Sequence, residues 1–378
     1  MTQHKLPTAE EFAEVLSCKS LTKFADSIQE VLMFGGYSES KFFICKIGKE
    51  GSKFLVKMAM YKKTDPEVYG VGTGGQPTHD VELKVLKLLD EKITRENISP
   101  CIINVIHYVR CNSAMLITPK LSKCHNYITE SIASEKTIDS LNIIFCNFAE
   151  LVRNDLAFDK FNYLVLENCD VTFYEYLTHL RSKSSISFEQ FRSFMFQILY
   201  TIYRIKKIYP SFRHGDLHSE NIMIKYDENF KYDPINPKFY KFYVAANAMA
   251  KHDIPYYVPY FGITCKIIDF GFAVIDEEGI KSSIVDDKFV MFNKTQNDLL
   301  LLLHTIWNTQ ESNKMVVKFL EKLEPNKTFV HYNTDYISHI EGAVPTPYDM
   351  VTNSVFKSYR NYSPKKDQII HEFARDNA

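Results

Sequence analysis

The hydrophobic period of this chain changes part-way along, and that change limits what it can fold into. Val31-Leu32-Met33-Phe34, Lys41-Phe42-Phe43-Ile44-Cys45 and Lys53-Phe54-Leu55-Val56-Lys57-Met58 are short strand-like runs. Gly35-Gly36 and Gly48-Lys49-Glu50-Gly51 separate them, so the spacing predicts an antiparallel meander from about Glu30. Far downstream, Phe188 to Ile208 carries Phe191, Met195, Ile198, Leu199, Ile202 and Ile205 at helical spacing and predicts a long helix. Between these, a helix is expected from about His79 to Leu89, with Val81, Val85, Leu88 and Leu89 on one face. Further strands are expected at Ile102–Val109, Ala114–Thr118 and Tyr163–Leu166. Thr8 with Glu11 reads as a capping box opening an N-terminal helix. Sheet-rich first and helix-rich second predicts an α+β fold of two lobes, with the switch near Glu167. Residues 119–160 read as an insertion with a helical segment around Leu141–Val152, and Tyr226 to Tyr260 as a long irregular stretch.

Composition narrows the class of protein. Lys plus Arg number 45 against 46 for Asp plus Glu, and a net charge of -1 leaves no footprint for nucleic acid or an anionic membrane. The 8 cysteines include no CxxC pair, which argues against a zinc ribbon or a thioredoxin-type redox site and fits a reducing compartment. Met1 to Glu11 has no apolar core of a signal peptide, and the longest apolar run, Leu299 to Leu303, falls far short of a membrane helix. A soluble, intracellular protein without nucleic-acid partners or membrane insertion is expected.

Two motifs carry chemistry. His214-Gly215-Asp216-Leu217-His218-Ser219-Glu220-Asn221 follows the long helix and precedes the apolar run Ile222-Met223-Ile224. Lys266-Ile267-Ile268-Asp269-Phe270-Gly271 is a short apolar strand ending in an acid and a glycine. Phosphoryl transfer asks for a carboxylate that takes the acceptor's proton, and for oxygen ligands that hold Mg2+ on the phosphates. Asp216 suits the first task, and Asn221 with Asp269 the second.

Both motifs resemble the catalytic loop and magnesium-binding loop of the protein-kinase superfamily. The resemblance runs from about Glu30 to about Tyr359. It implies a bilobal fold with an antiparallel N-lobe at 30–166, a mainly helical C-lobe at 167–378 and a helical extension at 1–29. The C-lobe would hold an insertion at about 226–262. The resemblance further implies that Lys57 binds ATP phosphates and pairs with Glu82, with Glu91, where the helix should be ending, as a weaker alternative, that Gly35 and Gly36 cover the phosphates, and that Glu167 and Cys169 hold adenine. Asp298, ahead of Leu299 to Leu303, would tie down the catalytic loop. Gly70-Val71-Gly72-Thr73-Gly74-Gly75 has the text of a phosphate loop but follows Lys57 instead of preceding it, so it reads as a flexible connection.

Several departures mark an atypical serine/threonine kinase, similar to haspin-type kinases and kinases of large DNA viruses. Gly215 stands where most of these enzymes have an arginine that receives a phosphorylated activation-loop residue, which implies activity without that switch. His218 stands where a lysine usually touches the transferred phosphate. The segment from Asp269 to Asp298 is short and has no Ala-Pro-Glu. Its acids Asp276, Glu277, Glu278, Asp286 and Asp287 could favour basic peptides. ATP, Mg2+ and a protein substrate are the implied partners. Two other readings share the residues: a small-molecule phosphotransferase of the aminoglycoside or choline kinase type, which also uses His-Gly-Asp, and a pseudokinase scaffold.

Overall fold

The computed structural model describes residues 28–35, 40–47, 52–62, 76–111, 150–182, 188–246, 252–281, 297–331 and 344–375. The expected N-terminal helix, Gly36, the glycine-rich stretch 70–75, the strand at 114–118, and Asp286 with Asp287 lie outside these residues. The chain divides into two compact units, residues 1–79 with 104–168, and residues 80–103 with 169–378.

The first unit is built on a five-stranded sheet of order β1-β2-β3-β5-β4. Its strands are β1 (Ile28–Gly35), β2 (Ser40–Ile47), β3 (Ser52–Lys62), β4 (Val105–Cys111) and β5 (Ala157–Glu167). All neighbours pair antiparallel, as the short runs and glycine turns require. The period of two is plain on β3, where Phe54, Val56 and Met58 are buried while Leu55 and Lys57 are half-exposed. Lys57 therefore lies on the less buried face of the strand. The end of the predicted insertion is regular too, since Ala157 to Lys160 opens β5 and Lys62 pairs with Ala157.

The second unit begins within helix α1 (Thr78–Leu89), which runs on through a π-turn at Asp90–Thr94. Its other main helices are α2 (Phe173–Ser182), α3 (Phe188–Ile208), α4 (Asn297–Gln310) and α5 (Lys314–Leu323). α3 has the predicted limits and is buried on several faces. Its apolar stripe packs inward, and Ser193, Gln197, Thr201 and Arg204 are buried as well. Each of these polar groups is satisfied: Ser193 Oγ donates to Pro259 O at 2.8 Å, and Gln197 Nε2 donates to Ser193 Oγ at 3.3 Å. Thr201 Oγ1 donates to Gln197 O at 2.7 Å, and Arg204 Nη1 donates to Tyr200 Oη at 2.6 Å.

The stretch 226–260, read from sequence as irregular, is largely a β-hairpin. β8 (Lys238–Ala245) and β9 (Asp253–Tyr260) pair antiparallel from Lys238↔Tyr260 to Ala245↔Asp253. A third strand, β13 (Ile369–Glu372), adds parallel to β8, so the sheet order is β13-β8-β9. Two features conceal the hairpin in the sequence. β8 mixes aromatics on both faces, with Phe239, Tyr240, Phe242 and Tyr243 all buried, so it shows no clean alternation. β9 carries Pro255 and Pro259, which argue against a strand unless the strand is an edge. β9 is an edge. Near the C-terminus lies the short helix α6 (Pro347–Val351), opened by a Thr346–Asp349 capping box.

A separate ladder positions the chemistry. β10 (Ile263–Ile267) pairs antiparallel with β7 (Ile222–Tyr226), and β6 (Val171–Thr172) pairs with β7 on its other side. The register ends at Ile267↔Ile222. The residues before Ile222 and after Ile267 must therefore lie side by side, whatever the length of the segment between the two strands. Asp227 N donates to Gly262 O at 2.7 Å and closes the base of that inserted segment.

Candidate active site

The β7–β10 register brings Asn221 next to the Ile268-Asp269 step, and Ile268 N donates to Asn221 O at 3.0 Å. The two sequence motifs thus converge on one place. Asn221 also faces Asp216. Its Nδ2 donates to Asp216 O at 2.8 Å and to Asp216 Oδ2 at 3.1 Å. This orients the Asp216 carboxylate and turns the amide nitrogen of Asn221 into the loop, so the atom of Asn221 suited to a cation is Oδ1.

The loop is fixed from below by Asp298, near the start of α4 and buried at 3% exposure. Its Oδ2 accepts from His214 N at 2.7 Å and its Oδ1 from Gly215 N at 3.0 Å. Burial pushes this carboxyl above its usual range, opposed by His214 and the two amide donors. The tie expected of Asp298 is therefore made through the backbone. His214, itself fully buried, bridges the two motifs: its Nε2 lies 2.9 Å from Ile268 O, and Asp216 N donates to its Nδ1 at 3.3 Å. Those partners select the tautomer with the proton on Nε2. Its ring also packs against Phe270, with centroids 4.9 Å apart. The sequence motif includes His214 but gives it no role of its own, because nothing in its spacing signals a bridge to Ile268.

Gly215 has φ +83, and a Cβ there would lie 2.4 Å from Phe272 O. The glycine is demanded by a left-handed turn and by close approach of the loop after Asp269. An absent arginine is only half of its meaning. Asp269 is left-handed as well, with φ 61 and ψ 64, an uncommon conformation for a residue with a side chain. Strain of that kind clusters where side chains must be aimed.

His218 caps the 3-10 turn Ser219–Asn221 by accepting from Glu220 N at 3.2 Å. Its Nε2 is 3.4 Å from Asp216 Oδ2 and 3.1 Å from Asn221 Nδ2. Burial depresses its pKa, but the Asp216 hydrogen bond and charge, with Glu220 and Asp269 behind them, outweigh that and raise it.

Among the described residues no three His, Cys, Asp or Glu side chains cluster to hold a metal ion. Asn221 Oδ1 and the Asp269 carboxylate are hard oxygen donors on residues whose backbones the ladder brings together. Such a pair fits Mg2+ that takes its remaining ligands from phosphates and water.

The remaining predicted residues are divided between the two units. Lys57, on β3, is paired in register with Phe42 on β2 and Leu164 on β5. Gly35 ends β1. Glu167 ends β5, where it is buried and exchanges bonds with Asn104: Asn104 N donates to its Oε1 at 2.9 Å and its own N donates to Asn104 O at 3.1 Å. Its amide is thus engaged within the first unit. In the second unit, Glu82 is buried on α1, and Cys169 is buried as well.

No family model matches the chain. Over 341 residues it is 26% identical to "Putative serine/threonine-protein kinase R301" of Acanthamoeba polyphaga mimivirus, covering 79% of this chain and 82% of that protein. Over 349 residues it is 25% identical to "Putative serine/threonine-protein kinase R400" of the same virus, covering 84% of this chain and 69% of the other. The chain is kinase-like. The resemblance to kinases of a large DNA virus that the motifs suggested therefore extends over most of the kinase-like chain. Among solved structures, a chain titled "Crystal structure of PF14_0431, kinase domain" matches 87% of this kinase-like chain and 94% of its own length, at 13% identity and a TM-score of 0.37. No helix among the described residues is long and apolar enough to cross a membrane.

Proposed function

We propose that this kinase-like chain transfers the γ-phosphate of ATP to serine or threonine hydroxyls of proteins, in a reaction dependent on Mg2+. The observation that carries the reading is the convergence of Asp216, Asn221 and Asp269, held by the β7–β10 register and anchored by Asp298. Asp216, oriented by Asn221 Nδ2, accepts the proton of the substrate hydroxyl as its oxygen bonds to phosphorus and the bond to ADP breaks. Asn221 Oδ1 and Asp269 would hold Mg2+, which when bound neutralises charge on the phosphates. Lys57 would bind the phosphates with Glu82 as its partner, Gly35 and Gly36 would cover them, and the Glu167 carbonyl and Cys169 backbone would take adenine. A loop held by Asp298 and a glycine at 215 support action without activation-loop phosphorylation.

The test uses the purified full chain with labelled ATP and Mg2+. Phosphate is expected on casein or histone, not on choline or an aminoglycoside, and is lost on chelating Mg2+ or in Asp269→Ala. Phosphatase treatment beforehand leaves the rate unchanged. Absence of transfer together with absence of an ATP-dependent thermal shift would overturn the enzyme reading. Transfer only to choline or an aminoglycoside would replace protein with a small-molecule acceptor.

A further inference from the structure

A second tie joins the catalytic loop to the segment after Asp269, and it uses acids that the sequence offered for substrate selection. Arg213 and Val274 exchange backbone bonds, Arg213 N to Val274 O at 3.0 Å and Val274 N to Arg213 O at 2.9 Å. Just outside this pair, Glu277 grips Ser211 with both oxygens. Ser211 N donates to Glu277 Oε1 at 3.0 Å, and Ser211 Oγ donates to Glu277 Oε2. The same hydroxyl accepts from Asp276 N at 2.7 Å. Arg213 Nη2 stands 3.9 Å from Asp276 Oδ2.

The turn that presents these acids closes on itself. β11 (Val274–Ile275) and β12 (Ile280–Lys281) pair antiparallel. Gly279, at φ 60, donates its amide to Asp276 O at 3.1 Å. The hydrogen bond from Ser211 holds the Glu277 carboxyl below its usual range, so it stays anionic at neutral pH. Asp276 and Glu277 are thus engaged within the protein, which leaves Glu278 as the acid of this turn available to a basic peptide.

We infer that the Ser211–Glu277 clasp is a positioning device that fixes the Asp269 loop against the Asp216 loop by a built-in carboxylate. It rests on the phosphotransfer reading above and gives it a regulatory mechanism. An exposed ion pair alone does little for stability. The Glu277 carboxylate, by contrast, accepts from a backbone amide and from a hydroxyl whose other side is also occupied, and it closes a ring over two backbone bonds. Its effect is therefore expected in loop geometry more than in global stability.

The test compares the wild-type chain with Glu277→Gln, Ser211→Ala, the double variant and Glu278→Gln. Each single clasp variant is expected to lower kcat roughly fivefold, with KM for ATP and thermal midpoint little changed, and the double variant to be no worse than either single. Glu278→Gln should leave amide exchange at Ser211 and Asp276 at the wild-type rate. Amide hydrogen exchange at Ser211 and Asp276 gives a readout that does not depend on activity, and both amides should exchange faster in Glu277→Gln. Wild-type kcat in Glu277→Gln, additive losses in the double variant, or unchanged exchange at Ser211 would each overturn the clasp. An inactive wild type with accelerated exchange in Glu277→Gln would sink the phosphotransfer reading while leaving the clasp as a structural fact.

Discussion

The two units hold their reactive side chains by different means. In the first, Lys57 sits on a regular strand whose place is set by paired neighbours on both sides. Any residue at that position has the same backbone, so the sheet is indifferent to what chemistry it displays. In the second, Asp216 and Asp269 lie on irregular backbone. Their positions depend on one buried carboxylate, one bridging histidine, a glycine and a left-handed aspartate. Function placed on a strand should be separable from stability, and function placed on anchored loops should not.

The largest expected effect is at the proposed base. Asp216→Asn keeps the Asn221 contact possible but cannot take a proton, and kcat should fall by roughly 10²–10⁴ in a labelled-ATP assay. Lys57→Met follows, with a loss of roughly 10²–10³ in kcat/KM and a thermal midpoint close to wild type. A large drop in its midpoint would break the comparison between strand and loop. Gly215→Ala should show the opposite balance. Its forced left-handed backbone and contact with Phe272 O should cost about 1–3 kcal/mol in denaturant titration, with activity falling alongside.

The smallest effect concerns Lys206, near the end of α3. Burial pulls its ammonium down to about 8, with Arg213 acting the same way and Asp298 and Glu277 opposing. The unfolded chain keeps this proton up to the ordinary lysine range. Stability therefore rises with pH between about 8 and that range, and the gain is lost as pH falls through about 8. Melting curves of Lys206→Met should show a flatter rise than wild type between about pH 7 and about pH 10. Equal slopes would mean that the loop's foundation is less buried than described.

Much of this was legible because it is local. The meander of β1–β3 is announced by short apolar runs and glycines, and the limits of α3 by its own periodicity. Asp216, Asn221 and Asp269 could be singled out because their spacing within each motif reflects a shared loop. What could not be read is pairing over long separations. Nothing in the text links Ser211 to Glu277, or His214 to Ile268, since each is an ordinary residue until the β7–β10 ladder closes. The β8–β9 hairpin was hidden for another reason: its aromatics fill both faces, and its prolines are permitted only by its place at an edge.

Those prolines have a consequence for how copies of the protein meet. Residues of equal parity on a strand turn their main-chain groups to the same side. The Pro259 carbonyl accepts from Ser193 and so points away from β8. Pro255, with the same parity, shares that direction. The outer rim of the sheet therefore lacks two amide donors and has one acceptor already taken. A foreign strand approaching that rim finds no continuous ladder to extend, so an insertion this rich in tyrosine and phenylalanine is guarded against templated aggregation.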